Sequence, residues 1–224
     1  MRLHNLTILG TSHIARQSLK EVRDAIEDDK PDVVALELDR QRFLALMSNA
    51  KKRKSSLKDI KKIGVKGFLF SIFGEWAERK LGEQVGVKPG SEMKLAGQLA
   101  AIHKIPVILI DQNIAITLKK FSKALTWKEK WNFVVDIFNA IIFRKKSIPF
   151  DLASVPTASM VKKLTKEVKV RYPNIYYVLV EERNEIMAKR LAKLMKQDPN
   201  RNILAVMGAG HESDVIKIIK KELK

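Results

Sequence analysis

Four short apolar runs, each followed by polar or ionisable residues, constrain the fold of this chain more than any other feature. The runs are residues 6–9, 33–38, 107–110 and 203–207. The last three each follow a helical pattern that ends at a proline or asparagine turn. Strands that are apolar on both faces and alternate with helices are typical of parallel sheets covered on both sides. The sequence therefore predicts an α/β fold with a mainly parallel sheet and flanking helices.

Amphipathic spacing predicts the helices that cover this sheet. They are expected at residues 18–28, 92–103, 175–196 and 213–223. The strongly basic segment 50–66 is predicted to be a mobile connection that leads into an apolar helix at 67–76.

The segment 114–148 interrupts the alternation of strands and helices, because it combines an apolar stripe with basic flanks. The stripe includes Trp127 and Trp131. Two interpretations are open: a helical cap over the sheet, or a helix that lies on a membrane surface. We favour the cap, since such stripes usually face a core. The chain is then a single domain, 1–224, with a largely helical insertion at 114–172.

The composition of the chain excludes several kinds of site and partner. The chain has no cysteine, which excludes disulfides, cysteine-ligated zinc and thiol nucleophiles, and suits a reducing interior such as the cytoplasm. Its 43 Lys and Arg against 25 Asp and Glu give a formal charge of +18, which favours anionic partners in general. Nucleic acid is not favoured, because only 7% of residues are aromatic and no nucleic-acid-binding module is visible. We find neither a signal peptide nor an apolar run of about 18 residues, so a membrane span is not expected.

Each predicted strand delivers chemically useful side chains at its end. The first and last strands run into Gly-x-x-His turns at 10–13 and 208–211, the second carries Glu37 and Asp39, and the third is followed by Asp111. Ligands of open α/β sheets bind outside the carboxyl ends of the strands. We therefore expect these segments to converge on one pocket.

The two turns place His13 and His211 at matching positions. Glycine allows a sharp turn and a close backbone approach, and imidazole can bind a metal through either ring nitrogen. The other two histidines, His4 and His103, have no such setting and are interpreted as structural or surface residues.

Three glutamates are candidates for the same site. Glu37 interrupts a strand that should be buried, so it must be paired, metal-bound or protonated; the alternative is an ion pair with Arg40 or Arg42. Glu182 lies on an apolar helical stripe, and an ion pair with Arg183 is its competing explanation. Glu92 starts a helix, where an acid also stabilises the dipole.

Two histidines with carboxylates suit Zn, Mn, Fe or Co, and such a metal activates water for hydrolysis. No Gly-x-Ser-x-Gly elbow, phosphate-binding loop or dinucleotide-binding Gly-x-Gly-x-x-Gly is present.

An ordered set of motifs along the chain resembles the TraB/PrgY family, relatives of the Tiki proteins. The motifs are Gly-Thr-Ser-His at 10–13, Val-Ala-Leu-Glu-Leu-Asp at 34–39 with Arg42, Leu-Gly-Glu-Gln-Val-Gly-Val-Lys-Pro-Gly-Ser-Glu-Met at 81–93, Leu-Ile-Asp at 109–111, Thr-Leu-Lys at 117–119, Glu-Arg-Asn-Glu-Ile-Met at 182–187 and Gly-Ala-Gly-His at 208–211. The resemblance implies a fold like that of ChaN and erythromycin-esterase-like proteins. It also implies a metal-dependent peptidase or amide hydrolase that uses Mn, Co or Zn.

Carried over residue by residue, the resemblance assigns a metal to His13, Glu37 and His211. Glu37, Glu92, Glu182 and Arg183 become the catalytic candidates, and a peptide or small amide becomes the substrate. An alternative is a non-enzymatic peptide-binding or membrane-surface protein of the pheromone-shutdown type, which contacts the membrane through 114–148.

The chain departs from the family pattern in three ways. It has Asp-Gln-Asn at 111–113 where Asp-Arg-Asp is expected, and Glu-Arg-Asn at 182–184 where Glu-Arg-Asp is expected. It also stops after the closing helix, where many relatives continue into a membrane block, so it is either a short member or part of a longer protein.

Overall fold

The computed structural model describes residues 1–11, 16–48, 90–124, 126–129, 131–132, 135 and 166–224. A five-stranded sheet lies within these ranges. Its strands are β1 (Arg2–Leu3), β2 (Leu6–Thr11), β3 (Val33–Leu36), β4 (Val107–Leu109) and β5 (Ile203–Gly208). The four strands expected from the apolar runs are all present, and β1 is an addition.

The strands lie in the order β1-β2-β5-β3-β4. β5 pairs in parallel with both β2 and β3, and β3 pairs in parallel with β4. Only β1 is antiparallel, in a short pairing with β2. The prediction of a mainly parallel sheet is therefore confirmed, and the last strand in sequence lies at its centre.

Helices flank the sheet. They are α1 (Arg16–Glu27), α2 (Arg40–Met47), α3 (Ser91–Ile102), α4 (Ile114–Ala124), α5 (Pro173–Tyr176), α6 (Glu182–Gln197) and α7 (Ala209–Glu222). A π-helical turn, Tyr177–Glu181, joins α5 to α6 within the region predicted as one helix. The closing helix begins at Ala209 rather than at residue 213, so His211 lies in its first turn.

Side chains of β3 show how the two layers are covered. Val33 and Ala35 face a core cluster formed with α6 and α7, while Val34 and Leu36 face a second cluster formed with α1 and α3. Successive residues of a strand point to opposite faces, and all four are fully buried. The continuous apolar run therefore reflects burial on both faces.

Part of the predicted insertion can be compared with the structure. Its first helix, α4, packs against the π turn and α5, and the backbone at 127–129, 131–132 and 166–171 is also helical. The described parts of 114–172 contain no strand. The predictions for 50–66, for 67–76 and for about half of 114–148 lie outside the described residues. Among the helices of the described ranges, none combines the length and apolar character needed to cross a bilayer.

Candidate functional site

Glu37 follows β3 directly and points to the face covered by α6 and α7. Its side chain is almost completely buried. Oε1 accepts a hydrogen bond of 2.5 Å from Nη2 of Arg183 in α6, and Oε2 accepts one of 2.6 Å from the backbone N–H of Gly208. Glu37 is thus in an ion pair, but its partner is Arg183, whereas Arg42 contacts Asp39 and Asp111.

Asp111 lies two residues after the end of β4 and is in contact with several arginines. Its carboxylate receives a two-pronged contact from Arg183, with Nε at 3.0 Å from Oδ1 and Nη2 at 2.7 Å from Oδ2. Nη2 of Arg42 contacts Oδ2 as well, and Arg190 donates to the backbone carbonyl of Asp111 at 2.6 Å. Burial raises the pKa of Asp111, but the hydrogen bonds and charges of Arg183 and Arg42 outweigh this effect and hold the pKa below 3.8.

Arg183 engages all three of its guanidinium nitrogens. Besides Asp111 and Glu37, it donates through Nη1 to the carbonyl of Leu179 in the π turn at 3.1 Å. Burial lowers the pKa of Arg183, but Asp111 and Glu37 raise it above its ordinary value. This geometry suits a residue that holds two carboxylates in a fixed orientation.

His211 is held between Asn184 and Glu37. Its Nδ1 lies 2.5 Å from Oδ1 of Asn184, and its Nε2 lies 3.4 Å from Oε1 of Glu37. An amide oxygen only accepts hydrogen bonds, so Nδ1 carries the proton of this contact. Nε2 is thereby directed at the carboxylate of Glu37.

The other two substituted positions of the family pattern have local structural roles. Gln112 is buried and donates to Oγ1 of Thr117 at 2.9 Å. Asn113 accepts from the backbone N–H of Ala115 at 2.8 Å, as a capping residue at the start of α4 does. An asparagine can fill this position as well as an aspartate can.

Gly10, the first residue of the first Gly-x-x-His turn, lies against the start of α7. A Cβ atom at this position would lie 3.2 Å from Cα of Ala209 and would collide with the carboxylate of Glu212. The expected close backbone approach is present here. His13 lies outside the described residues, so its place in a pocket shared with His211 stays a prediction.

Glu182 precedes Arg183 but faces a different direction, because successive helical residues are rotated by about 100°. Its Oε1 contacts Nζ of Lys120 in α4, and its Oε2 is buried without a hydrogen-bond partner. The competing explanation, an ion pair, is present, but the partner of Glu182 is Lys120 and not Arg183. The carboxylate is indeed largely buried, with 18% of its side chain exposed.

Glu92 is buried, with 1% exposure, in the first turn of α3. This helix covers the face opposite to α6 and α7, where its residues pack with Val34 and Leu36. The structure brings together Glu37, Arg183 and His211, whereas Glu92 starts the helix that covers the opposite face.

Asp111, Arg42 and Asn184 complete the cluster, but none of them was among the catalytic or metal-binding candidates. Asp111 was visible as a polar residue at a strand end, whereas nothing in the sequence indicated which arginine it meets. Within the described residues, no three His, Asp or Glu side chains are grouped as metal ligands.

Comparison with known proteins agrees with the motif resemblance. The TraB/PrgY/gumN family model matches residues 3–222. An uncharacterized protein of Methanocaldococcus jannaschii is 37% identical over 223 residues, which cover 97% of this chain and 54% of the relative. TraB domain-containing proteins of Bos taurus and Mus musculus are each 22% identical over 236 residues, which cover 94% of this chain and 61% of each relative. The chain thus spans little more than half the length of these relatives. It belongs to the TraB/PrgY/gumN family.

Proposed function

We propose that this protein is a metal-dependent hydrolase of peptide or small amide bonds, with Glu37, His211 and His13 as the metal ligands. The observation that supports it most is the 3.4 Å separation of His211 Nε2 and Glu37 Oε1. Two ligand atoms about 2.1 Å from a tetrahedral metal lie about 3.4 Å apart. The two donors that the structure describes therefore fit one metal ion, and a third donor is expected from His13.

The contact between His211 and Asn184 supports the same proposal. A histidine that binds a metal usually donates its second ring N–H to a carbonyl, carboxylate or water, which fixes the tautomer. Asn184 accepts from Nδ1 in this way. Nε2 of His211 and Oε1 of Glu37 are then both hydrogen-bond acceptors. Two acceptors that face each other at this distance need a proton or a cation between them.

Arg183, Asp111 and Gly208 prepare the carboxylate of Glu37. Arg183 and the Gly208 N–H hold one oxygen each, so the carboxylate cannot rotate. Each carboxylate oxygen has two lone pairs, so Oε1 can still bind a further partner. Asp111 holds Arg183 in place through two contacts.

A bound Mn, Co or Zn ion would lower the pKa of a water molecule and polarise the scissile carbonyl. We assign the proton-accepting role to Glu182 rather than to Glu92. Oε2 of Glu182 is buried without a hydrogen-bond partner, whereas Glu92 belongs to α3, the helix that covers the other face of the sheet. Lys120 neutralises the other oxygen of Glu182 and fixes its position.

Metal analysis of protein purified without chelator or His-tag tests the ligand set. We expect one metal ion per chain in the wild type and its loss in Glu37→Gln and His211→Ala. Asn184→Ala should weaken metal affinity by about 10- to 100-fold, as expected when the partner of a ligating histidine is removed. His103→Ala removes an exposed histidine at the end of α3 and serves as the matched control. Metal content that is unaffected by Glu37→Gln and His211→Ala would contradict the proposal.

The role of Glu182 is tested separately with metal-loaded protein and a mixture of labelled peptides. Glu182→Gln should retain metal and lose turnover by roughly 100-fold or more, the range of general acid–base catalysis. Glu185→Gln, an exposed glutamate in the same helical turn, is the control and should remain active. Peptide binding without turnover in the metal-loaded wild type would favour the non-enzymatic alternative.

A further inference from the structure

Two tryptophans are unusually exposed on the helical segment that follows α4. Trp127 is 83% exposed and Trp131 is 70% exposed. The backbone is helical at 127–129 and at 131–132, and residues four apart on a helix lie on the same side. The two indoles therefore share one face.

The opposite face of this segment is anchored to the protein. Glu129 is buried and accepts hydrogen bonds from the backbone N–H groups of Asn174, at 2.8 Å, and of Ile175, at 3.4 Å. Two residues correspond to about 200° of rotation on a helix, so both tryptophans point away from the side that Glu129 fixes. Their exposure follows from how the segment is attached.

The exposed charges among the described residues of 114–132 are all positive. Lys119, Lys123 and Lys128 are exposed on α4 and on the tryptophan segment. Lys120, also exposed, is paired with Glu182. Among the described residues of 114–132, the only acid is Glu129, which is buried and directed inwards.

We propose that Trp127 and Trp131, with Lys119, Lys123 and Lys128, form a docking surface for the headgroup region of an anionic phospholipid bilayer. Indole rings favour the membrane–water interface, and lysines beside them are attracted to anionic lipid. A second copy of the chain fits this surface less well, because a symmetric contact would bring the same lysines together. The proposal goes beyond the proposed hydrolase activity and does not depend on it.

Sedimentation with vesicles of phosphatidylcholine and phosphatidylglycerol in a 70:30 ratio tests this surface, with pure phosphatidylcholine vesicles for comparison. The critical variant is Trp127→Ala/Trp131→Ala, which leaves the charge of +18 unchanged. Leu44→Ala/Ile102→Ala removes two exposed apolar side chains elsewhere and is the matched control. Circular dichroism and thermal melting check that each variant is folded. In a Trp76→Phe background, tryptophan emission reports on the two indoles alone.

We expect the wild type to bind the anionic vesicles more tightly than the neutral ones, and binding to weaken as salt is raised. The tryptophan variant should lose about tenfold or more in affinity, the effect of one lost apolar anchor, while the control binds as the wild type does. Emission should shift to shorter wavelength only when vesicles are present. His211→Ala should bind vesicles normally, which separates this surface from the metal site.

Equal vesicle binding by wild type and tryptophan variant would overturn the proposal, because net charge alone would then explain adsorption. An emission shift that depends on protein concentration without lipid would also overturn it, in favour of self-association. Lys119→Gln/Lys123→Gln/Lys128→Gln should lose the preference for anionic lipid. If that preference is unchanged, the proposed role of these lysines is wrong.

Discussion

Asp111 and Glu129 are both buried carboxylates, but different groups compensate their charges. Asp111 meets the guanidinium groups of Arg183 and Arg42. Glu129 meets no cation in the contacts described; it accepts hydrogen bonds from backbone N–H groups and from the side chains of Thr126 and Asn174. Burial raises the pKa of each carboxyl, but these partners outweigh that effect, so both pKa values lie below their ordinary ranges.

The different partners of the two carboxylates indicate different roles. Asp111 uses fixed positive charges that also reach Glu37, so it determines the orientation of another side chain. Glu129 uses the unpaired N–H groups at the start of α5, so it attaches one backbone segment to another.

The largest effect is expected from Arg183→Met, which leaves Asp111 and Glu37 buried without their shared cation. Breaking a buried ion pair in this way costs about 3–5 kcal/mol. Urea or thermal unfolding measures the loss. Arg201→Ala removes an exposed pair with Asp198 and is the control, with little change expected.

A triple variant, Arg183→Met/Glu37→Gln/Asp111→Asn, distinguishes charge from packing. It should recover part of the lost stability, because it removes the uncompensated charges while keeping similar side-chain shapes. If the triple variant is less stable than Arg183→Met alone, packing of Arg183 rather than its charge is the dominant contribution.

A smaller effect is expected from Glu129→Gln. The amide keeps the shape but loses the charge-assisted acceptors for the N–H groups of Asn174 and Ile175, at an expected cost of about 1–3 kcal/mol. Thermal unfolding measures this cost. The control is Glu167→Gln, because Glu167 is an exposed glutamate of the neighbouring helical segment. Equal stability of the two variants would show that the anchor contributes no more than a surface charge.

The smallest effect is expected in the pH dependence of the stability difference between wild type and Glu129→Gln. The pKa of Glu129 is lower in the folded chain than its ordinary value of 4.5, so its stabilisation is present above pH 4.5 and is lost as the pH falls through the folded pKa. The stability gap between wild type and Glu129→Gln should therefore narrow on acidification. A gap that is constant from pH 7 to pH 3 would mean that the charge of Glu129 is not responsible.

The sequence predicted the layers of the fold well, because buried parallel strands are recognisable as apolar runs. It missed α2, Arg40–Met47, which is short and has no fully buried residue, although Phe43 and Leu46 pack against a core cluster. Asp39, which caps α2 by accepting from the N–H groups of Gln41 and Arg42, was the signal available for it. The π turn left no signal that was recognised.

The sequence predicted which types of residue form the candidate site, but not which of them contact one another. Glu37 and His211 were expected at one sheet edge with His13, and the family resemblance added Arg183. The structure brings Glu37, Arg183 and His211 together, while His13 lies outside the described residues. Which arginine meets Glu37 depends on the position of β5 between β2 and β3, and on the rotation of α6 after the π turn. Both are tertiary properties, which local spacing does not encode.

The central position of β5 has a consequence for how the chain is made. β2 and β3 are synthesised well before Ile203–Gly208, yet each must pair with that strand. Until then the nascent chain holds two apolar strands without their shared neighbour, and such unpaired edges promote aggregation. Completion of the sheet is therefore a late, long-range event, which favours slow folding. The strand that joins the two halves of the sheet also delivers Gly208 to Glu37, so the candidate site forms only when the sheet itself is complete.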